Sequence, residues 1–312
     1  MNQPFDVIRK SGRKEVAFVY LLKSKFEKDV FVECVESLDP PKVFSEKWVI
    51  TISSQKGCPV GCSFCDAGYY FKGNLSKEEL SGQLNVILEN HKEDGYLSSK
   101  KIKLHLARMG EPSFNKDIIR FLQELKTNYT DVNFIPSIAT VGPKNRGVWF
   151  EKLKEIKDRY YCKGKFQLQF SLNTTDENFR DKIIPINKMS FKEISRFGRY
   201  WLSKGDRKIT LNFALSKDAP FLSKNILENF SPEKFLLKIT PLNPRIGVLQ
   251  NNSLLDYSGV IPSSLEKEVE KLEKENFEII VSIGSKEEIE IKSNCGQTAF
   301  RELSLIGSEG VI

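Results

Sequence analysis

The chain has no long apolar run. Nowhere in its 312 residues does a stretch approach the roughly 18 consecutive apolar residues that cross a bilayer. The opening segment, Met1 to Lys14, is polar and broken by charges, unlike a signal peptide. Internal repeats, low-complexity tracts and long linkers are missing as well. Cysteine is sparse, with six residues, and a secreted disulfide framework would be denser and its chain shorter. These absences predict an intracellular, cytoplasmic protein with no membrane partner. What remains is ordinary: 40% hydrophobic and 29% charged residues, the balance of a soluble globular protein. Such a length buries a full core, in one large α/β domain or two smaller ones. The net charge of +7 suits an anionic partner such as RNA, although many housekeeping enzymes are as basic.

Along the chain, strand, loop and helix alternate. Val16–Leu22 and Val30–Val35 read as a short hairpin ahead of the main domain. Lys47–Ser53, Ile102–Ala107, Val132–Ile138, Lys165–Leu172, Lys208–Leu215 and Lys234–Ile239 read as strands, with helical stretches between them. Ser76 is placed to cap the first of those helices. The series predicts an α/β fold, a partial parallel (β/α)6 barrel. A short N-terminal β extension covers 1–45, the barrel 46–260, and a C-terminal α/β extension 261–312. In that extension Ser263 and Glu266 are spaced as a capping box, and Phe277–Ser282 reads as a further strand. The cysteine loop, Gly110-Glu111-Pro112, Thr140–Gly142, Asn173 and Asn243 all fall just past the ends of predicted strands. In a parallel β/α barrel that rim is where sites are built.

Three cysteines stand at C-x3-C-x2-C spacing: Cys58, Cys62 and Cys65. Three thiolates hold three irons of a cubane and leave a fourth open to chelate the amino and carboxylate groups of a methionine moiety. A zinc site would want a fourth ligand, and neither Cys162 nor either histidine is nearby in sequence. Three purely structural cysteines on a glycine-bearing loop would be poor core chemistry.

The spacing, with Phe64 before the third cysteine, resembles the signature of the radical S-adenosylmethionine (SAM) superfamily. Ser53-Ser54-Gln55-Lys56-Gly57-Cys58, Met109-Gly110-Glu111-Pro112, Ser171-Leu172-Asn173 with Arg180-Asp181 and Pro185-Ile186-Asn187, Pro241-Leu242-Asn243-Pro244, and Asn294-Cys295-Gly296-Gln297 resemble, in order, the motifs of its RNA adenine methyltransferases. Those enzymes methylate C2 or C8 of adenine in ribosomal and transfer RNA. The resemblance implies a [4Fe-4S] cluster on Cys58, Cys62 and Cys65. It implies SAM held about Gly110, Glu111, Ser171, Leu172, Asn173 and Asn243, and a one-electron reductant such as flavodoxin or ferredoxin. It implies that Cys295 is methylated by one SAM, that a radical from a second SAM activates the methylthio group, and that the carbon adds to adenine. Glu33 matches the family's proton acceptor. The bland alternatives are a buried free cysteine at 295 and an exposed strand carboxylate at 33.

The pattern also breaks. The family's second, resolving cysteine is Thr51 here, and a hydroxyl forms no disulfide. Cys34 or Cys162 substitutes if the fold brings one close; otherwise release proceeds differently, or the chemistry ends elsewhere. Asn173 replaces a histidine, Ala139 a serine and Arg108 a glycine, and the N-terminal part is shorter than usual. These departures leave open a radical SAM enzyme acting on a small molecule or peptide. A non-catalytic RNA-binding or electron-transfer module is the third reading.

Overall fold

The computed structural model describes residues 3–38, 42–91, 99–243, 252–255, 260–294 and 299. The strands are β1 (Phe5–Arg13), β2 (Ala17–Ser24), β3 (Phe31–Ser37), β4 (Trp48–Ile52), β5 (Gln55–Gly57), β6 (Phe71–Asn74), β7 (Ile102–Leu106), β8 (Phe134–Thr140), β9 (Gln167–Ser171), β10 (Ile209–Leu215), β11 (Phe235–Pro241) and β12 (Ile279–Val281). The helices are α1 (Lys77–Glu89), α2 (Asp117–Asn128), α3 (Gly147–Tyr160), α4 (Glu177–Ile183), α5 (Phe191–Trp201), α6 (Ser223–Leu227), α7 (Ser263–Lys274) and α8 (Lys286–Glu290).

One sheet of ten strands runs β1-β2-β3-β4-β7-β8-β9-β10-β11-β12, and β5 and β6 make a separate hairpin. From β1 to β4 neighbours are antiparallel. From β4 through β12 they are parallel. The six expected parallel strands are all present, and β12 joins them as a seventh. The sheet is continuous through the segments expected as extensions, because β3 pairs with β4 and β11 with β12.

Pleating sends alternate residues to opposite faces. Trp48, Ile50, Ile52, Leu104, Leu106 and Leu211 enter the main core together with helix residues. On α2, Ile118, Phe121, Leu122 and Leu125 are the buried set, the spacing of one helix face. The opposite, inner face of the sheet is polar. There the Gln169 amide donates to Ser137 Oγ at 3.0 Å and lies 3.2 Å from His105 Nε2, tying three strands. Burial first, then Lys103 and Lys238, holds the His105 pKa well below the usual imidazole range. That keeps its ring neutral and able to accept from Gln169.

Two local expectations need correcting. β1 was not anticipated: it carries Arg9, Lys10 and Arg13 and is largely exposed, so its sequence lacks a buried alternation. It is held by pairing with β2 and by Lys10, whose ammonium stands 4.1 Å from the Phe18 ring centroid. The Ser263–Glu266 capping box is absent. Ser263 is already inside α7, whose N-cap is Pro262 with no side-chain cap bond. Ser76 does cap α1 in a full capping box with Glu79.

Candidate active site

The cysteine loop leaves the sheet after β4 and is built largely by backbone. Gly57 has φ +86°, and a Cβ there would lie 1.9 Å from the Tyr70 carbonyl, so only glycine lets β5 close on the chain returning to β6. Beyond it, Cys58 N donates to Tyr70 O at 3.1 Å and Cys65 N to Cys62 O at 3.1 Å. Ser63 N reaches Ile183 O at 2.9 Å, pinning the loop to the end of α4. The three cysteines are partly buried. Burial above all pushes the Cys58 thiol up to about 12, with Cys65 and Glu111 adding to it. Burial raises Cys62 too, reinforced by Cys65, Cys58 and Glu111.

The rim beside the loop is braced by Glu111, itself buried. One carboxylate oxygen accepts from Ser113 N at 3.0 Å, Ser113 Oγ at 2.7 Å and Thr140 Oγ1 at 2.5 Å; the other accepts from Val141 N at 2.8 Å. Burial raises this carboxyl, and those donors oppose the rise. Glu111 thus joins the ends of β7 and β8. Gly110 has φ +97°, and a Cβ there would come within 2.6 Å of Gln55 Cβ and Ser54 Oγ.

Ser171 ends β9. Leu172 buries its side chain in the main core while its N–H donates to Asn212 O at 2.9 Å. Asn173 sits at φ +62° and accepts from Ala214 N at 2.9 Å, closing β9 onto β10. Asn243 follows β11 on the same rim. Arg180, which sequence reading placed in a motif without a role, is buried and donates to Met189 O at 2.7 Å and Val141 O at 2.8 Å. Burial brings its guanidinium down to about 10, and Cys62 is among the negative groups that counter this. Its Nε has no hydrogen-bond partner among the described residues.

The tail returns to this rim. Ile291 packs against Ala17, Val19 and Val35. Arg108, just past β7, donates to Ser293 O and Lys292 O, both at 2.7 Å. The same guanidinium pairs with Glu33, Nη2 to Oε2 at 2.5 Å and Nε to Oε2 at 2.8 Å. The other Glu33 oxygen accepts from Ala299 N at 2.5 Å. Glu33 is therefore a fully buried ion-pair partner, not an exposed strand carboxylate. Arg108, noticed in the sequence only as a departure, is central to this joint. Cys295 lies outside the described residues.

Neither spare cysteine stands beside Thr51 on its face of the sheet. Cys34 pairs with Ile52 across the sheet and so faces outward, its Sγ 3.8 Å from the Gln83 carbonyl of α1. Thr51 pairs with Val35 and His105 on the inner face. Cys162 is exposed just after α3, at the end of the sheet opposite the rim.

The chain matches no protein-family model. Its fold resembles the crystal structure of a radical SAM methyltransferase from Sphaerobacter thermophilus, with a TM-score of 0.76 and 19% identity over 95% of this chain and 82% of that one. Among curated proteins it is 26% identical to a probable dual-specificity RNA methyltransferase RlmN of Dictyoglomus turgidum, over 80% of this chain and 68% of that protein. It is 31% identical to the Thermotoga neapolitana protein of that name, over 65% of this chain and 57% of the relative. With the Aliarcobacter butzleri RlmN it shares 26% identity over 96% of this chain and 82% of the relative. The chain is thus similar in sequence to proteins named RlmN and in fold to a radical SAM methyltransferase.

That likeness implies a [4Fe-4S] cluster and SAM, and the thiol donor set fits the cluster. Cys65 raises the pKa of both Cys58 and Cys62, so the thiolates are poorly stable as neighbouring anions, and a cationic iron–sulfur core relieves that repulsion. No three His, Cys, Asp or Glu side chains among the described residues converge on a single ion. A cluster with one sulfur at each of three corners suits them better than a lone zinc. No helix among the described residues is long and apolar enough to cross a membrane.

Proposed function

We propose that the chain is a radical SAM methyltransferase that methylates an adenine ring carbon in ribosomal or transfer RNA, with Cys295 as the methyl carrier. The observation that carries this reading is the return of the tail. Ala299 packs in one apolar cluster with Met109, Ala67, Leu21 and Phe31, and Cys58 and Cys65 lie against that cluster. Ser293 and Ala299, described residues on either side of Cys295 in the sequence, are both anchored at this rim.

Cys58, Cys62 and Cys65 would hold the cluster, which supplies the electron that cleaves SAM. Gly110 leaves room for close backbone approach. Glu111 keeps the β7 and β8 loops apart at a fixed width, and Ser171, Leu172, Asn173 and Asn243 complete the rim around SAM. The Cys295 thiolate takes a methyl group from one SAM by displacement, because sulfur is polarizable and a neutral adenine ring carbon is a poor nucleophile. Residues 261–312 serve as the extension that delivers this carrier. A one-electron carrier such as flavodoxin or ferredoxin supplies reducing equivalents, and the RNA substrate places the reaction in the cytoplasm.

The test is reconstituted protein with reductant, methyl-labelled SAM and ribosomal or transfer RNA. Label in an adenine, lost in Cys295→Ala, supports the reading. A second reading, a radical SAM enzyme for a small molecule or peptide, draws on Thr51, on Cys34 facing the other side of the sheet and on Cys162 being exposed after α3. It expects 5′-deoxyadenosine without labelled RNA.

A further inference from the structure

We propose that Arg108 and Glu33 are positioning residues that seat the C-terminal tail over the cysteine loop. Both side chains are essentially solvent-free, 1% and 0% exposed. A buried ion pair is costly to desolvate and persists only where the remaining donors and acceptors are satisfied. Here they are satisfied by the tail itself. One edge of the guanidinium grips Glu33, and its other N–H groups grip the carbonyls of Lys292 and Ser293. The carboxylate oxygen that Arg108 leaves open takes the Ala299 N–H.

The partners lie far apart in sequence. Glu33 and Arg108 are 75 positions apart, Arg108 and Ser293 185, and Glu33 and Ala299 266. One charge pair therefore joins β3, the end of β7 and both flanks of the segment between Ser293 and Ala299, which contains Cys295. The guanidinium fork is what makes this possible: a lysine ammonium is a point charge without its fixed planar array of donors. The seat is also tied to the rim. Arg108 immediately precedes Met109, and Met109 shares its apolar cluster with Ala299. With the tail seated both Glu33 oxygens are engaged, so its work in this state is to hold the chain in place.

The inference extends the carrier reading but is measured separately from it. Hydrogen exchange is followed on the full, cluster-loaded chain for wild type, Arg108→Gln and Glu33→Gln. The expected result is exchange at least about tenfold faster across residues 292–299 in both variants, with Arg108→Gln retaining its iron content. Arg108→Lys should recover part of that protection. In Arg108→Gln the first methyl transfer to Cys295 should slow while the SAM concentration at half-saturation holds. If Arg108→Gln does not fold, the near-isosteric Glu33→Gln carries the comparison. Unchanged protection of 292–299 in the variant that folds would overturn the seat. A tail protected in wild type and loosened in the variants, with no methyl ever found on wild-type Cys295, supports the seat and sinks the carrier reading alone.

Discussion

The cysteine loop and the tail meet at the same rim but are held by different physics. The loop is fixed by short-range backbone bonds and by Gly57, where any Cβ would lie 1.9 Å from the Tyr70 carbonyl oxygen. The tail is held by a buried ion pair whose members are distant in sequence, together with apolar packing of Ile291 and Ala299. Local backbone geometry tolerates most side-chain changes nearby. A joint made of two charges has no such redundancy, since removing one leaves the other buried and uncompensated.

Several substitutions probe that contrast. Cys58→Ala should reduce iron content and cluster absorbance to background and abolish SAM cleavage while the protein stays folded; residual cleavage would remove Cys58 from the ligand set. Proton release gives the next largest effect. The Cys58 thiol, held up to about 12, is protonated at neutral pH, and cluster binding must displace that proton. Loading of the apo-protein should tighten with rising pH between about 7 and 9, by up to about tenfold per pH unit for each thiol that ionises. A flat profile, read by iron titration, would mean that the thiols are already ionised.

Glu111→Gln puts an amide where the carboxylate accepts from Ser113, Thr140 and Val141, and should cost about 1–3 kcal/mol in urea unfolding. A loss near zero would mean that the rim is braced elsewhere. The smallest effects compare a helix beside the loop with one in the tail. Ser76→Ala removes a working cap and should cost about 1 kcal/mol, whereas Ser263→Ala should cost less than about 0.5 kcal/mol. Equal losses would restore the capping box that α7 lacks in this structure.

The same contrast decides what could be read from sequence. The parallel strands were legible because each alternates or runs apolar between turn residues, and the cysteine spacing and Gly110-Glu111-Pro112 lie within short windows. β1 was illegible because its charged residues are exposed and its stability comes from β2 and from lysine–aromatic contact. Ser263 and Glu266 matched a capping pattern whose start Pro262 had already supplied. Local spacing cannot tell which of two adjacent residues begins a helix. Glu33 was singled out by resemblance and Arg108 only as an oddity. Their pairing, like the reach from Arg108 to Ser293, is a long-range contact without a periodic signature. Thr51 stands where the resemblance expects a second cysteine, and only the sheet register turns Cys34 away from it, toward α1.

The central claim is that Cys295 carries a methyl group derived from SAM. Its most direct test is a peptide mass map of Cys295 from anaerobically prepared protein, expressed with methyl-labelled methionine. The account predicts a labelled methyl on Cys295. An unmodified Cys295, in protein whose cluster is intact and which cleaves SAM, would contradict it.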